Sequence, residues 1–518
     1  MANLQLFNSF RGRQTPAADT RNEAGGMAYT RDAKSALALY AATGCLNGVY
    51  YADAQTQLDQ VLKFCAEVPA EFVAKTAIYA RERAFMKDMP ALLLAYLAQR
   101  DGASMARAFE RVIDNGRMLR NFVQIVRSGV LGRKSLGTLP KREVQRWFER
   151  ASVPAVLAAS VGNSPSLADV IRMVHPKPAT TERSALYAWL IGKAYAQDAL
   201  PAVVKEFEAF KLSANEAVPD LPFQFLTALP LTSAHWTAIA RRSSWQTLRM
   251  NLNTFARHGV FADSALVDEV AARLRDREAI RRSRVFPYQL MSAYLAASEN
   301  MPAPIVEALQ DAMEIATENV PALPGRVAMA IDVSGSMISA VTGYRKGATS
   351  KMRCVDVAAL LAACIKRVNP QTQILPFAES VKRLRLNARD SVMTQAQQMA
   401  ALLGGGTKVS APLAELNAKR AQLDLVVIVS DNQSWADTRG NGGTETMRQW
   451  AQIKQRCPTA RLVCIDLQPY ATSQTVESAD VMHVGGFSDA VFDLLAQGSA
   501  GGGAKAARWV ERIEAIAL

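Results

Sequence analysis

Histidine and cysteine are scarce in this chain of 518 residues, which holds four of the first and six of the second. His175, His235, His258 and His483 lie far apart, and none has a cysteine or carboxylate at metal-ligand spacing, so nothing here reads as a zinc site. Cys45, Cys65, Cys354, Cys364, Cys457 and Cys464 include no Cys-x-x-Cys and fall mostly on apolar faces of predicted elements. Buried free thiols in a reducing compartment are expected. No apolar run is long enough to span a membrane, and residues 1–13 lack the apolar core of a secretion signal, so the expected location is the cytoplasm, away from membranes. No Gly-x-Ser-x-Gly elbow and no phosphate-binding loop occur. The segment Gly404-Gly405-Gly406-Thr407-Lys408 lacks the spaced first glycine such a loop needs. These absences favour a binding protein over an enzyme.

What the chain has in surplus is positive charge. Its 60 lysines and arginines exceed its 47 acidic residues by 13. Between Arg107 and Arg150 eleven basic residues face four acidic ones, and between Arg273 and Arg284 six arginines face Asp276 and Glu278. Both clusters lie in one half of the chain, a distribution suited to a polyanionic partner; nucleic acid is the commonest, and an acidic membrane surface would satisfy the same arithmetic.

The two halves differ in texture. Residues 33 to about 318 read as successive helices, with Leu58, Val61, Leu62, Cys65 and Val68 at helical spacing, and Met105, Phe109, Val112 and Ile113 likewise. Short loops with proline or glycine separate them, a pattern that fits stacked helical pairs of the HEAT type. After Pro321-Ala322-Leu323-Pro324-Gly325 the pattern becomes alternating strands and helices. Strands are predicted at 327–332, 372–377, 424–430 and 460–466, with helices at about 354–368, 391–402 and 444–456. That series implies a parallel sheet covered on both faces. Gly498 to Gly503 would form a hinge before a last amphipathic helix carrying Trp509, Val510, Ile513 and Ile516, expected to dock back on one of the domains. The resulting division is an arm at 1–20, a helical domain at 21–323, an α/β domain at 324–497, and the hinge and helix at 498–518.

The most telling stretch is Asp332-Val333-Ser334-Gly335-Ser336, directly after the apolar run Val327-Ala328-Met329-Ala330-Ile331. It places a carboxylate and two hydroxyls at the carboxyl end of a buried strand, where open α/β sheets build ligand sites. Thr407 adds a hydroxyl on a glycine-rich turn, and Asp431 follows a second buried strand, Leu425-Val426-Val427-Ile428-Val429. Hard oxygen donors of this kind suit Mg²⁺ or another divalent cation. Asp332 and Asp431 would also be conceivable as an acid/base pair, but hydroxyl neighbours at these spacings suit an ion better than proton transfer. In its order and spacing the set Asp332, Ser334, Ser336, Thr407 and Asp431 resembles the metal-ion-dependent adhesion site of von Willebrand factor A domains.

The helical half carries a further resemblance. Asn22-Glu23-Ala24-Gly25-Gly26, Gly44-Cys45-Leu46 with Gly48-Val49-Tyr50-Tyr51, and Ile171-Arg172-Met173-Val174-His175-Pro176-Lys177-Pro178 look like the TROVE domain of the Ro autoantigen family. So do Leu229-Pro230-Leu231-Thr232, Leu248-Arg249-Met250-Asn251-Leu252 and Arg284-Val285-Phe286-Pro287-Tyr288, while Gly485-Gly486-Phe487 falls in the family's order near the end. The resemblance implies an all-α HEAT-like helical-repeat ring joined to an α/β Rossmann-like A domain. It implies binding of small noncoding Y-type RNA on the outer ring surface, and of single-stranded 3′ ends of misfolded or structured RNA in the ring hole. It also implies a role in RNA quality control or decay, with an exoribonuclease as a partner.

His175 matches a family histidine that contacts RNA. The family's basic residues in the preceding helix are missing from Ala155 to Ser164, so Arg133, Lys134, Lys141 and Arg142 are the first substitutes to consider, then Arg281, Arg282 and Arg284. Lys408 stands where the family commonly has an acidic residue. The alternative function is a Mg²⁺-dependent protein-interaction adaptor acting through the A domain, with RNA binding incidental.

Overall fold

The computed structural model describes residues 15–162, 164–213, 217–283, 285–297, 300–345, 351–387, 389–437, 442–486, 488, 490–499 and 509–518. The chain divides into two compact units, one of residues 1–60 with 320–512 and the other of residues 61–319 with 513–518.

The first unit is built on a five-stranded parallel sheet: β3 (Val327–Asp332), β4 (Gln373–Phe377), β5 (Leu425–Ser430), β6 (Arg461–Asp466) and β8 (Val481–Gly485), in the spatial order β4-β3-β5-β6-β8. Every residue of β3 and β5 is buried, as expected for strands covered by helices on both faces. One face packs Ala328, Ala330, Val426, Ile428, Leu462 and Cys464 against Leu413, Trp450 and Ile453 from the helices Ala411–Ala418 and Glu445–Arg456. Helix Cys354–Val368 buries its first twelve residues, Cys354 to Ile365. The chain passes from β3 outward to β4 and then crosses to β5, so the order reverses between β3 and β5. At such a point the carboxyl ends of two neighbouring strands part and leave a crevice.

The strands predicted at 327–332, 372–377, 424–430 and 460–466 are all present, within one residue of their expected starts. Strand β8 went unpredicted because His483 and the short Val481–Gly485 segment do not read as an apolar run. His483 is nevertheless buried, held by Arg31 and Thr475.

The domain boundaries read from the sequence need one correction. Residues 21–60 belong with the sheet, not with the helical stack. β1 (Thr20–Arg21) pairs with β2 (Met27–Thr30), and β2 pairs with β7 (Thr472–Ser473), beyond β6. Asn22 donates from Nδ2 to the Ser434 carbonyl at 2.7 Å. A Cβ on Gly26 would stand 1.9 Å from that same carbonyl oxygen, so only glycine permits the approach. Arg31 donates to Asp466 Oδ2 at 2.5 Å with both side chains 3% exposed, and to the Thr472 carbonyl at 3.1 Å. Helix Ala33–Thr43, N-capped by Asp32, buries nine of its residues. Local periodicity identifies such a helix but says nothing about which core receives it.

The second unit is all helical among its described residues. From Ala70 to Val174 helices pack on their next and next-but-one neighbours, the arrangement of a stacked repeat. Met105, Phe109, Val112 and Ile113 are all buried, as their spacing predicts. Helix Gly116–Arg127 lies so close to Val153–Ser160 that a Cβ on Gly116 would stand 2.0 Å from that of Ala159. The last six residues, 513–518, belong to this unit, where Lys75 and Arg111 donate to the carbonyls of Glu514 and Ala517. Trp509 is buried in the first unit near Gly485. Residues 500–508, including part of the expected hinge, lie outside the described residues, as does Phe487. Among the described residues no cysteine forms a disulfide; five of the six are buried and Cys45 is half-buried.

Candidate metal centre and basic surface

Parallel pairing of Ile331 with Val429 sets Asp332 beside Ser430 at the carboxyl ends of β3 and β5. Asp332 Oδ1 accepts from the Ser334 amide at 2.8 Å, and Oδ2 accepts from the Ser430 hydroxyl at 2.5 Å. The Ser334 and Ser336 hydroxyls lie 3.4 Å apart. Past β5 the chain turns through Asn432, whose φ of 64° suits asparagine better than most residues. Asp431 Oδ1 accepts from the Gln433 amide at 3.3 Å. The glycine loop is held to the first motif by Gly404 N to Val333 O at 2.8 Å and Gly335 N to Gly405 O at 3.0 Å. Behind it the Thr407 carbonyl accepts from the amides of Trp435 and Ala436, fixing the backbone that presents the hydroxyl. Asp332, Ser334, Ser336 and Asp431 therefore stand together, the loop that carries Thr407 is tied to the Val333–Gly335 backbone through Gly404 and Gly405, and all five residues are buried.

Electrostatics mark the crevice as incomplete by itself. Burial pushes both the Asp332 and Asp431 carboxyls above their ordinary range, and for Asp431 the neighbouring Asp332 charge adds to it. Asp431 Oδ2 is buried and has no hydrogen-bond partner. An orphaned carboxylate oxygen costs roughly 1–3 kcal/mol or more unless something compensates it. A hard cation among these oxygens would supply that compensation, so the donor set fits Mg²⁺. Among the described residues no group of three or more histidine, cysteine, aspartate or glutamate side chains could hold a metal ion.

Ser430, which the sequence gives with Asp431 at the end of β5 but which was not counted among the donors, fixes the orientation of Asp332. Two further neighbours escaped the sequence reading. Tyr51 stands within the field of Asp431, and its phenol is pushed up to about 12 by burial first and then by that charge. Tyr470 lies beside Tyr51, with ring centroids 6.0 Å apart, and its phenol too is raised, by burial and then Asp431. No local motif announces that residues 51 and 470 meet residues 332 and 431.

The basic residues of the helical unit sort into occupied and available groups. Arg111, Arg146 and Arg150 pair with Glu82, Glu143 and Glu110. Arg120 donates to the Val161 carbonyl and Arg133 to the Ala98 carbonyl, at 2.7 and 3.4 Å. Arg133 also folds against Gly137, so it is a structural residue, unlike the other substitutes considered with it. Lys134 and Arg142 are exposed and Lys141 half-exposed, with no ion pair among the described residues. Arg117 and Arg127 are exposed as well, and Arg127 lines an open concavity with Gln124 and Ser128. In the second cluster Arg273 donates to three backbone carbonyls, Arg275 pairs with Asp311, and Arg277 pairs with Glu318. Arg281 meets Glu278 at 3.2 Å on the surface, Arg282 is exposed, and Arg284 lies outside the described residues. The formal surplus of this cluster thus overstates its free charge. His175 ends helix Leu167–Val174 in a left-handed conformation (φ 51°), exposed, with Pro176 buried after it.

A parallel-sheet domain with oxygen donors at its switch point, joined to a helical stack, defines a von Willebrand factor A domain protein with a helical-repeat unit. The comparisons specify it further. Residues 326–497 match the model of the Ro60 vWA domain. The chain is 27% identical to the RNA-binding protein RO60 of Deinococcus radiodurans over 95% of its own length and 98% of that protein's. It is 24% identical to the RNA-binding protein RO60 of Caenorhabditis elegans over 45% of this chain and 36% of that one. The crystal structure of the Deinococcus radiodurans RO (RSR) protein superimposes with a TM-score of 0.62 at 22% identity, covering 90% of this chain and 99% of that one. The resemblance to the Ro family read from the sequence is borne out along nearly the whole chain. No helix among the described residues is long and apolar enough to cross a membrane.

Proposed function

We propose that this protein binds RNA through its helical unit, with small noncoding Y-type RNA and single-stranded ends of misfolded or structured RNA as ligands. The observation that carries this reading is the end-to-end similarity to a protein named for RNA binding. Exposed cations supply the physical means, because phosphate neutralisation by lysine and arginine provides most non-specific affinity. Lys134, Lys141 and Arg142 share the loop and first turn of helix Thr138–Arg150, so they form the local surface most ready to meet phosphates. Arg281, Arg282, Arg284 and His175 are further contacts in this reading. The role is support of RNA quality control or decay, with an exoribonuclease as partner, in the cytoplasm and without catalysis by this chain.

The test is filter binding at graded salt. Replacing Lys134, Lys141 and Arg142 together with alanine should weaken binding across sequences. It should also reduce the slope of log affinity against log salt by about 2 to 3, one phosphate contact per cation. An unchanged slope would remove these residues from the interface. No affinity of the unaltered protein for structured or single-stranded RNA at low salt would sink the RNA reading itself.

A second reading is favoured by the orphaned Asp431 oxygen: the A domain holds Mg²⁺ through Asp332, Ser334, Ser336, Thr407 and Asp431, and uses it to engage an acidic group of a protein partner. Pull-downs from nuclease-treated lysate with and without EDTA separate the two. A metal-bridged partner leaves with the chelator, whereas RNA held by cations of the helical unit stays.

A further inference from the structure

We infer that a cation in this crevice latches the N-terminal strand pair, β1 and β2, onto the A domain, so that metal occupancy and closure of that segment strengthen each other. The inference rests on the divalent-cation reading above. Two lines of hydrogen bonds join the donor loops to the segment. The first starts at Asp332, whose Oδ2 accepts from the Ser430 hydroxyl, and that oxygen accepts in turn from the Asn432 amide at 2.8 Å. Asn432, directly after Asp431, donates from Nδ2 to Ser473 Oγ at 3.3 Å and accepts at Oδ1 from the Gln474 amide at 3.2 Å. Gln474 then donates from Nε2 to the Met27 carbonyl of β2 at 3.1 Å. The second line starts at the glycine loop. The Thr407 carbonyl accepts from the Trp435 amide at 3.1 Å, and the other end of that peptide group, the Ser434 carbonyl, accepts from Asn22 Nδ2 at 2.7 Å. Asn22 also holds the turn between β1 and β2, since its Oδ1 accepts from the Gly26 amide at 2.7 Å. Asn22, Ser430, Asn432, Ser473 and Gln474 are all buried, so water does not compete for these bonds.

Asp431 is where a cation acts on both lines. Its Oδ2 is buried without a hydrogen-bond partner, and its Oδ1 accepts from the Gln433 amide at a long 3.3 Å. Two carboxylates in one crevice repel each other, and a cation bonded to both removes the repulsion and fixes the backbone from Asp431 to Ser434. Asn432 and the Ser434 carbonyl then meet Gln474 and Asn22 with their own ordering already complete, which favours the closed segment. Linkage makes the effect reciprocal: the closed segment orders the loops for the metal and raises its affinity by the same factor. When β2 opens, the Thr472–Ser473 strand loses its partner, so the cation also governs exposure of that edge.

Mn²⁺ is the probe, with calorimetry and native-state hydrogen exchange on the full chain. Saturating Mn²⁺ should slow exchange at Tyr29, Thr30, Thr472 and Ser473 about tenfold more than at Gln373 and Ile374. Those two amides lie at the amino end of the outermost strand, β4, and report the general stabilisation that any bound ligand gives. Asn432→Gly breaks the first line only, and glycine accepts the φ of 64° there. It should cut the excess to roughly threefold and weaken Mn²⁺ binding by no more than about the same factor. An excess absent from the unaltered, Mn²⁺-binding protein, or one that persists in full in Asn432→Gly, would overturn the latch and leave the metal reading standing. Should the variant not fold, the exchange pattern of the unaltered protein decides alone. Absence of Mn²⁺ binding in the unaltered protein would overturn both.

Discussion

Replacing Arg31 with methionine should detach the N-terminal strand pair from the A domain, and the size of the effect can be argued from burial. Arg31 and Asp466 are each 3% exposed, and the guanidinium also donates to Thr472 O and contacts His483 Nδ1 at 3.0 Å. Methionine keeps much of the volume but leaves the Asp466 carboxyl buried without its counter-charge. Removing one partner of a buried ion pair costs about 3–5 kcal/mol. Spread over the opening of β2 from β7, that corresponds to a fall of about 10² to 10³ or more in amide protection, at roughly 1.4 kcal/mol per factor of ten. Native-state hydrogen exchange at Tyr29, Thr30 and their partners in β7 is the assay. The double replacement Arg31→Met with Asp466→Leu should recover most of the loss, since it removes the orphaned charge. Recovery should stop about 1–2 kcal/mol short, because Thr472 O and His483 still lack their donor.

The deficit should also depend on pH. Even beside Arg31, burial pushes the Asp466 carboxyl up to about 6, and without the guanidinium it would rise further. A carboxyl raised in the folded state holds its proton more tightly there than in the unfolded chain. Its contribution is therefore fully favourable below the unfolded value near 4 and is lost as pH rises through the folded one. The variant should look least impaired near pH 4 and most impaired above pH 7. A change below about 1 kcal/mol at pH 7, or a double variant no better than the single, would refute the argument that this ion pair fastens the segment.

Three further outcomes follow from the same structure. Asp332→Ala should abolish Mg²⁺ binding by calorimetry while leaving the metal-free fold intact or slightly more stable, because it removes one of two repelling carboxyls; Thr407→Ala, which deletes one neutral oxygen, should cost less affinity. Without metal, thermal stability of the A-domain unit should fall as pH rises from about 4 towards 8, since Asp332, Asp431 and Asp466 are all raised in the folded state, and added Mg²⁺ should reverse that trend at the high end, where its ligands are deprotonated. Arg133→Ala should lower the melting temperature of the helical unit by removing the contact to Ala98 O, yet leave the salt dependence of RNA binding unchanged, in contrast to the Lys134, Lys141 and Arg142 triple replacement.

Much of the α/β unit was legible because its signals are local. A run such as Leu425 to Val429 is apolar at every position, short and rich in β-branched residues, which marks a strand covered on both faces. Asp332, Ser334 and Ser336 sit within five residues, so their meeting needs no tertiary knowledge beyond a strand that ends there. Asp431 was legible for a related reason, since it follows a readable strand, and Thr407 because it closes a glycine-rich turn before a helix. The sequence by itself therefore determined the two textures, the strand and helix order in the second half, and which carboxylates stand at the carboxyl ends of β3 and β5.

Tertiary structure decided the rest, wherever the deciding contact joined residues far apart in the chain. Asn22 to Gly26 and Arg31 have no local feature that assigns them to the sheet domain rather than to the helices that follow them. The assignment comes from carbonyls and a carboxylate more than 400 positions later. The arginines from Arg273 to Arg277 look alike in sequence to Arg281 and Arg282. They differ because packing has already brought helix ends, Asp311 and Glu318 to the first group. Tyr51 is one tyrosine of a pair until its amide and ring meet Tyr470, more than 400 positions later. Hydrophobic patterning is periodic along the chain and so can be read from it. Pairing of buried charges and hydroxyls depends on which surfaces meet, and that is settled only when the two ends of the chain come together in one fold.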